Sequence, residues 1–498
     1  MIDIGKNREF FWDEMLIDTE MTTAEKVMGQ FTKRERVMVH DKPWEGDGCN
    51  FHSILPVDGK YRMYYNAWRM IDKNPETGEM EHSTTDVKIA VLESADGICW
   101  ERPKLGLIEF EGSKDNNLLL TKESLGWEKN LDNFYAFIDE NPNRVIPERF
   151  KAVMAHYVPL ENGKHKNLLD LFVSDDGYRW KFHHVLTEKG AFDSLNTIHW
   201  NRSLNKYLCF FRDFHSPDPN LSDEEAKKVM DMNDLVRDLR VIESEDCISW
   251  SEPKRLDYMG AEDVPLYTNG ITVYPRATQM LVGFPVRYVE RKAWTETYDR
   301  LCGREMRQMR TKLHPRYGLA ITDGLFMCSR DGKQWFRTDE AFLRPGAENG
   351  RNWVYGDAYL AVGLIETPSE TDGAESELSV YIPENHWLGI PAELFRWTIR
   401  KDGFFSRHAG SREKLLVTKP FCFDGEKMLL NLSTSARGYV YVTIKDASSG
   451  KELHSCELFG DSCDRVVDFD GEVKAFAGKE VVMEMRMREA DVYAFKFE

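Results

Sequence analysis

Residues 94–100 read Ser94-Ala95-Asp96-Gly97-Ile98-Cys99-Trp100, and the phrase Ser-x-Asp-Gly-x-x-Trp returns at Ser174-Asp176-Gly177-Trp180 and Ser329-Asp331-Gly332-Trp335. Ser244-Asp246-Trp250 is a fourth copy with Cys247 in the glycine position, and Lys401-Asp402-Gly403-Phe404-Phe405 is a worn fifth. Positions 97, 177, 247, 332 and 403 are 80, 70, 85 and 71 residues apart, a near-regular interval that marks repeated structural units. Each phrase follows a β-branched and aromatic run (VKIAVLES, LLDLFVS, DLRVIES, GLFMCSR, LFRWTIR), so the Asp-Gly supplies hairpin-turn chemistry. Two further runs precede each of these, for example CNFHSILPV and KYRMYYNAW in the first unit. Four strands per unit and five units predict an all-β chain, a five-bladed β-propeller in which each blade's first strand lines the axis. A β-solenoid is the alternative for repeated strands, but its repeats are usually far shorter.

The blades are expected at 45–110, 128–190, 191–260, 261–345 and 350–410, so that the propeller occupies residues 1–410, with residues 1–44 completing the last blade or packing across the ring. Beyond Gly410 the phrase is absent, and short alternating strands separated by Gly, Asp and Ser turns predict a C-terminal β-sandwich over 411–498. Two insertions depart from the repeat. Ser222 with Glu225 forms a capping-box signature that predicts a helix within 216–239. Residues 288–317 carry eight basic side chains against four acidic ones. This segment is expected to be a solvated helix through which a homo-oligomer forms, or alternatively a lid that attracts an anionic substrate.

The 498 residues carry 66 basic and 84 acidic side chains, a net charge of −18 that disfavours nucleic acid and anionic membranes as partners. The start of the chain has no basic region followed by a long apolar run, and the nine cysteines are dispersed without a CxxC pair. The expectation is therefore a cytoplasmic protein with free thiols, no metal site and no required cofactor, a structural ion being left open. HExxH, GxSxG, P-loop and strand-linked GxGxxG motifs are all missing.

Propeller sites form where the starts of inner strands converge. Those positions hold Asp47, Asn50 and His52 in blade one, Asp132 and Asn133 in blade two, Asp193, Ser194 and Asn196 in blade three, Glu262, Asp263, Tyr267 and Asn269 in blade four, and Asn352 and Asp357 in blade five. Second-strand ends add Arg212, Asp213, Arg287, Glu384 and His386. A carboxylate near the start of every inner strand exceeds what packing requires, because unpaired carboxylates are costly in a narrow channel. Carboxyls of unequal environment are what glycosidic cleavage needs, one protonated and one ionised. Trp44, Trp68, Trp353 and Trp387 near the same mouth are candidates for stacking on sugar rings.

The segments 96–120 (DGICWERPKLGLIEFEGSKDNNLLL), 190–200 (GAFDSLNTIHW), 207–214 (YLCFFRDF), 266–277 (LYTNGITVYPRA) and 418–438 (TKPFCFDGEKMLLNLSTSARG) together resemble glycoside hydrolase family 32-like proteins. The resemblance implies a five-bladed propeller glycosidase of the family 32, 43, 68 and 117 type, using axial Asp and Glu residues on a carbohydrate substrate, with a C-terminal β-sandwich. Family 32's Trp-Met-Asn-Asp-Pro-Asn-Gly motif has no copy in this chain, and Arg212-Asp213 resembles its Arg-Asp-Pro motif with Phe214 in place of proline. The expected activity is hydrolysis of a furanoside or of an acidic or modified sugar. Asp132 and Asp193 are expected as nucleophile or base and transition-state stabiliser, and Glu262 or Asp263 as general acid. Asp47, His52, Asn133, Asn196, Arg212, Asp213, Asn269, Arg287, Asp357, Glu384 and His386 are expected to bind substrate. A glycoside phosphorylase and a non-catalytic carbohydrate-binding propeller are the alternatives.

Overall fold

The computed structural model describes residues 2–74, 77–128, 131–161 and 165–498. Five four-stranded antiparallel sheets follow one another along the chain. The first contains Asn50–Val57, Lys60–Ala67, Lys88–Ser94 and Leu118–Leu120, and the second runs from Asp132–Ile138 to Lys181–Thr187. The third runs from Thr197–Asn201 to Lys254–Arg255, and the fourth from Thr272–Val273 to Phe336–Arg337. The fifth combines Ile365–Thr367, Glu377–Glu384 and Glu393–Ile399 with an N-terminal strand, Thr32–Val39, which pairs antiparallel to Glu393–Ile399. Ile54 donates to the Val362 carbonyl and Val362 to the His52 carbonyl, both at 2.8 Å, so blade five is bonded back to blade one. The molecule is a five-bladed β-propeller whose ring closes by pairing the two ends of the repeat.

The repeated phrase is a turn with a fixed job. At Ser94, Ser174, Ser244 and Ser329 the hydroxyl accepts the N–H of the residue three positions on, and the following Asp accepts two more backbone N–H groups at 2.7–2.9 Å. Gly97, Gly177 and Gly332 sit at φ of +75°, +75° and +71°, where Cys247 at +62° is tolerated as the exception. The turn is also pressed against the preceding blade of the ring: a Cβ at any of the three glycines would lie 2.6 Å from Ile365, Arg62 or Leu208. Tyr64 and Tyr381 reach across from neighbouring blades to donate to the Gly177 and Gly97 carbonyls.

In blade four the apolar run MLVGFPVRY at 280–288 is split at Pro285, which has no N–H for the ladder. Leu281–Gly283 stays in the blade, while Val286–Glu290 leaves it to pair with Ala320–Gly324 in a separate ribbon. That ribbon carries the basic insertion, folded as helices Arg304–Leu313 and Pro315–Leu319. The Ser222 capping box opens the helix Asp223–Val229 as expected.

The C-terminal part forms one ten-stranded hydrogen-bonded sheet around its own apolar core, built on the long strands Met428–Asp446 and Val481–Phe497. Its membership differs from the division expected at residue 410. Ile2–Asp3, Glu9–Phe10 and Glu25–Met28, together with Phe405–Ala409, are bonded into it. The N-terminal segment therefore serves both units, with Thr32–Val39 in the propeller and the strands before it in the C-terminal sheet. No helix of the described residues is long and apolar enough to cross a membrane.

Candidate active site

Asp132 and Asp193 open the inner strands of neighbouring blades, and both are placed by irregular backbone. The ladder slips between Asp132 and Tyr135, and Asn133 takes φ +58°. Phe192 takes φ +56° immediately before Asp193, and Asp193 and Ser194 close back on the Ala191 and Phe192 carbonyls at 2.8 and 2.7 Å. Phe51 in blade one repeats the device at φ +53° beside another slip. A bulged strand re-aims its side chains, and left-handed backbone at Phe costs about 1–2 kcal/mol, so it persists where surrounding structure enforces it. Here the enforcement is visible: Asn133 and Asn196 both donate to the Phe192 carbonyl, at 3.2 and 3.0 Å.

The two carboxyls meet in a cavity of about 340 Å³ on the propeller axis. Asp193 accepts from Arg212 Nη2 at 3.0 Å, and the buried guanidinium lies 4.8 Å over Phe214 and 5.5 Å from the Tyr267 ring. Asp132 accepts a 3.3 Å bond from the Tyr157 hydroxyl and a backbone bond from Asn133. Burial, reinforced by the Asp193 charge, holds the Asp132 carboxyl well above the ordinary carboxylate range. Trp68, Tyr267, Tyr355 and Trp387 wall the cavity, Tyr355 and Trp387 with ring centroids 4.6 Å apart.

The basic insertion roofs this cavity. Arg310 forms a two-point ion pair with Asp72 of the hairpin formed by Met70–Lys73 and Met80–Thr84, at 2.7 and 2.8 Å. Tyr317 stacks on His82 of the same hairpin at 4.1 Å, and Arg316 lines the cavity beside it. The segment is thus bonded down across the axial site.

Other expected site residues lie elsewhere. Glu262 and Asp263 precede the inner strand of blade four, Thr272–Val273, by ten and nine residues and do not line the axial cavity. Asp263 accepts from His215 Nε2 at 2.9 Å and Arg255 at 3.0 Å, and the Glu262 N–H donates to Asp339 at 2.9 Å. Asp213 faces away from its neighbour Arg212, as successive strand residues must, and pairs with Lys227 at 2.6 Å. Arg287 is held by Asp323 at 3.0 and 2.7 Å and lines a separate groove with Trp353. Trp44 donates to Asn117 at 3.0 Å.

A third set supports the site without entering it. Asp47 accepts the Met70 and Gly389 N–H groups at 2.9 and 3.0 Å, tying down two segments of the mouth. His52 is buried against His40 at 3.1 Å, and Asn269 joins Thr197 at 3.0 Å to the Leu195 carbonyl at 2.8 Å. Asp357 accepts the Val354 N–H at 2.9 Å, Glu384 pairs with Lys33, and His386 lies under Trp387 with a centroid separation of 5.1 Å. Tyr157, Tyr355, His82, Arg316 and Tyr317 were not among the residues expected from the sequence to form the site. Only the charge of the insertion pointed toward any of them. Among the described residues no three His, Cys, Asp or Glu side chains converge to hold a metal.

The buried titratable groups predict a pH-dependent stability. Burial holds Asp357 up at about 8 and Asp170 at about 7, and pushes His386 down to about 3. Below about 8 the folded chain keeps carboxyl protons that the unfolded chain has released, so these two acids remove stability as pH rises. His386 acts in the opposite sense, but only below the ordinary histidine value of ~6.5. The melting temperature is expected to fall from pH ~6.5 to ~8, and the fall to shrink in Asp357→Asn. A rise across that window in thermal melts of wild type contradicts these assignments.

No family model matches the chain, and no curated protein matches it. Among solved structures it is similar to an N-acetylgalactosamine deacetylase from F. plautii in complex with blood group B trisaccharide, with a TM-score of 0.44 and 11% identity over 76% of this chain and 96% of that one. A glycosyl hydrolase from Bacteroides ovatus gives a TM-score of 0.39 and 11% identity over 74% and 94%. An exo-β-1,3-galactanase from Phanerochaete chrysosporium gives 0.35 and 9% over 92% and 99%.

Proposed function

We propose that this protein is a glycoside hydrolase in which Asp132 is the proton donor and Asp193 the ionised carboxylate. The observation that carries the reading is the pair of carboxyls in one axial cavity with opposed surroundings: Asp132 half-buried and without an ion-pair partner among the described residues, Asp193 fixed by Arg212. Unequal carboxyls of this kind divide the acid and base roles of glycosidic cleavage. Asp132 would pass its proton to the leaving oxygen as the bond to the anomeric carbon breaks. Asp193 would face that carbon directly or through a water that it deprotonates. Trp68 and Trp387 offer faces for a sugar ring, and Tyr157 holds Asp132 in place. This assignment moves the acid from Glu262 or Asp263, which lie off the axis, to Asp132.

The test is sugar release from a panel of fructosides, arabinofuranosides, galactosides and uronosides in phosphate-free buffer. Cleavage of one class is the expected result. Cleavage that requires inorganic phosphate would make the protein a phosphorylase. Sugar binding without cleavage, equal in wild type and the two Asp→Asn variants, would make it a binding propeller.

A further inference from the structure

Beside Asp193 the axial cavity continues into a smaller lobe of about 60 Å³, reached past Tyr267, Tyr355 and Trp387. Two arginines line it. Arg237, from the strand Val236–Ser244, is buried, and among the described residues its Nε has no hydrogen-bond partner and its nearest carboxylate, Glu290, is 3.8 Å away. Its guanidinium lies 4.4 Å over the Tyr288 ring, which fixes its plane without meeting its N–H groups. Arg316, from the roof, donates to Asn233 at 2.7 Å, and no carboxylate among the described residues lies within ion-pair distance of it. The negative charge of Asp193 is already matched by Arg212.

Two guanidinium groups share this lobe with Asp193, which Arg212 already holds, and Glu290 approaches Arg237 alone, an unusual excess of positive charge in a chain of net charge −18. A buried donor left unmade costs stability, and a planar guanidinium is matched by a planar oxyanion. A water needs ~10–15 Å³ of such space, so the lobe has room for a carboxylate. Because it shares Asp193, Tyr267, Tyr355 and Trp387 with the ring-sized cavity, its occupant would be a substituent of the same sugar that meets Asp193. A carboxylate carries one negative charge there, and a phosphate dianion would set two against Asp193.

We infer that Arg237 and Arg316 form an anion subsite for the carboxylate of an acidic sugar. The substrates would then be uronosides, an identification that rests on the glycosidase reading, whereas the subsite itself does not. The test compares binding of D-glucuronic and D-galacturonic acid with binding of their methyl esters by calorimetry, on wild type, Arg316→Gln, Arg237→Gln and Asp132→Asn. The acid of at least one pair is expected to bind wild type about tenfold or more tighter than its ester, the scale of one charge-assisted hydrogen bond. That preference should disappear in Arg316→Gln and survive in Asp132→Asn. The acid-against-ester comparison uses unaltered protein, so it decides the matter even if Arg237→Gln fails to fold. Equal binding of acid and ester overturns the subsite, and so does displacement of the bound acid by inorganic phosphate at a lower concentration than the acid itself. An acid preference without cleavage of any uronoside would refute the glycosidase reading and leave the subsite standing. Cleavage of neutral glycosides without an acid preference would do the reverse.

Discussion

Asp193→Asn is expected to lower turnover by at least ~10³-fold, which corresponds to roughly 4 kcal/mol of transition-state stabilisation. The amide keeps the shape of the side chain but loses the charge that in the proposed mechanism would face the anomeric carbon, and Arg212 is left without its partner. Asp132→Asn removes a proton donor, so its deficit should depend on the leaving group. It should be large for alkyl and sugar leaving groups and much smaller for a dinitrophenyl glycoside, whose oxygen departs without a proton. Steady-state rates of the two variants on both kinds of substrate check this. Equal deficits on both leaving groups for Asp132→Asn would remove it from the acid role.

The second large effect is on stability and falls at Asp402, in the worn fifth copy of the repeat. This copy has no serine, and its aspartate is turned to another use. At φ +63° and fully buried, Asp402 accepts from Arg8 at 3.2 Å, Tyr274 at 2.6 Å, Arg276 at 3.1 Å and Asn431 at 3.0 Å, while its carbonyl accepts from Trp12 at 3.1 Å. One carboxylate thus joins blade four, the end of blade five, the N-terminal segment and the C-terminal sheet. Removing one partner of a buried ion pair leaves the other charge uncompensated and typically costs ~3–5 kcal/mol. Asp402→Ala should fall in that range by urea unfolding, with Arg8 and Arg276 retaining only Asp464 as a partner. A cost below about 1 kcal/mol would show that the two units are held together by other contacts.

The repeat made the propeller legible because its turn is a local device: serine, aspartate and glycine bond to backbone within four residues, whatever the rest of the chain does. Ring closure by Thr32–Val39 was legible only as one of two options, since a strand's partner lies hundreds of residues away. The site followed the same rule. Asp132, Asp193 and Arg212 came from their places at strand ends, but Asp213, expected to bind substrate beside Arg212, is turned to the opposite face by strand alternation and pairs with Lys227. Glu262 and Asp263 were misplaced because the inner strand of blade four starts later than its apolar run suggests. The roof residues His82, Arg316 and Tyr317 were hidden because the blade-one hairpin and the basic insertion that carry them meet only in three dimensions.

The most direct test of the central claim is the pH dependence of kcat/KM on the best substrate from pH 5 to 9, in wild type and Asp132→Asn. If Asp132 is the acid, wild-type activity falls on a basic limb above neutrality as its proton is lost, and that limb is absent in the variant. A wild-type profile flat to pH 9, or a variant that keeps both the rate and the limb, would contradict the account.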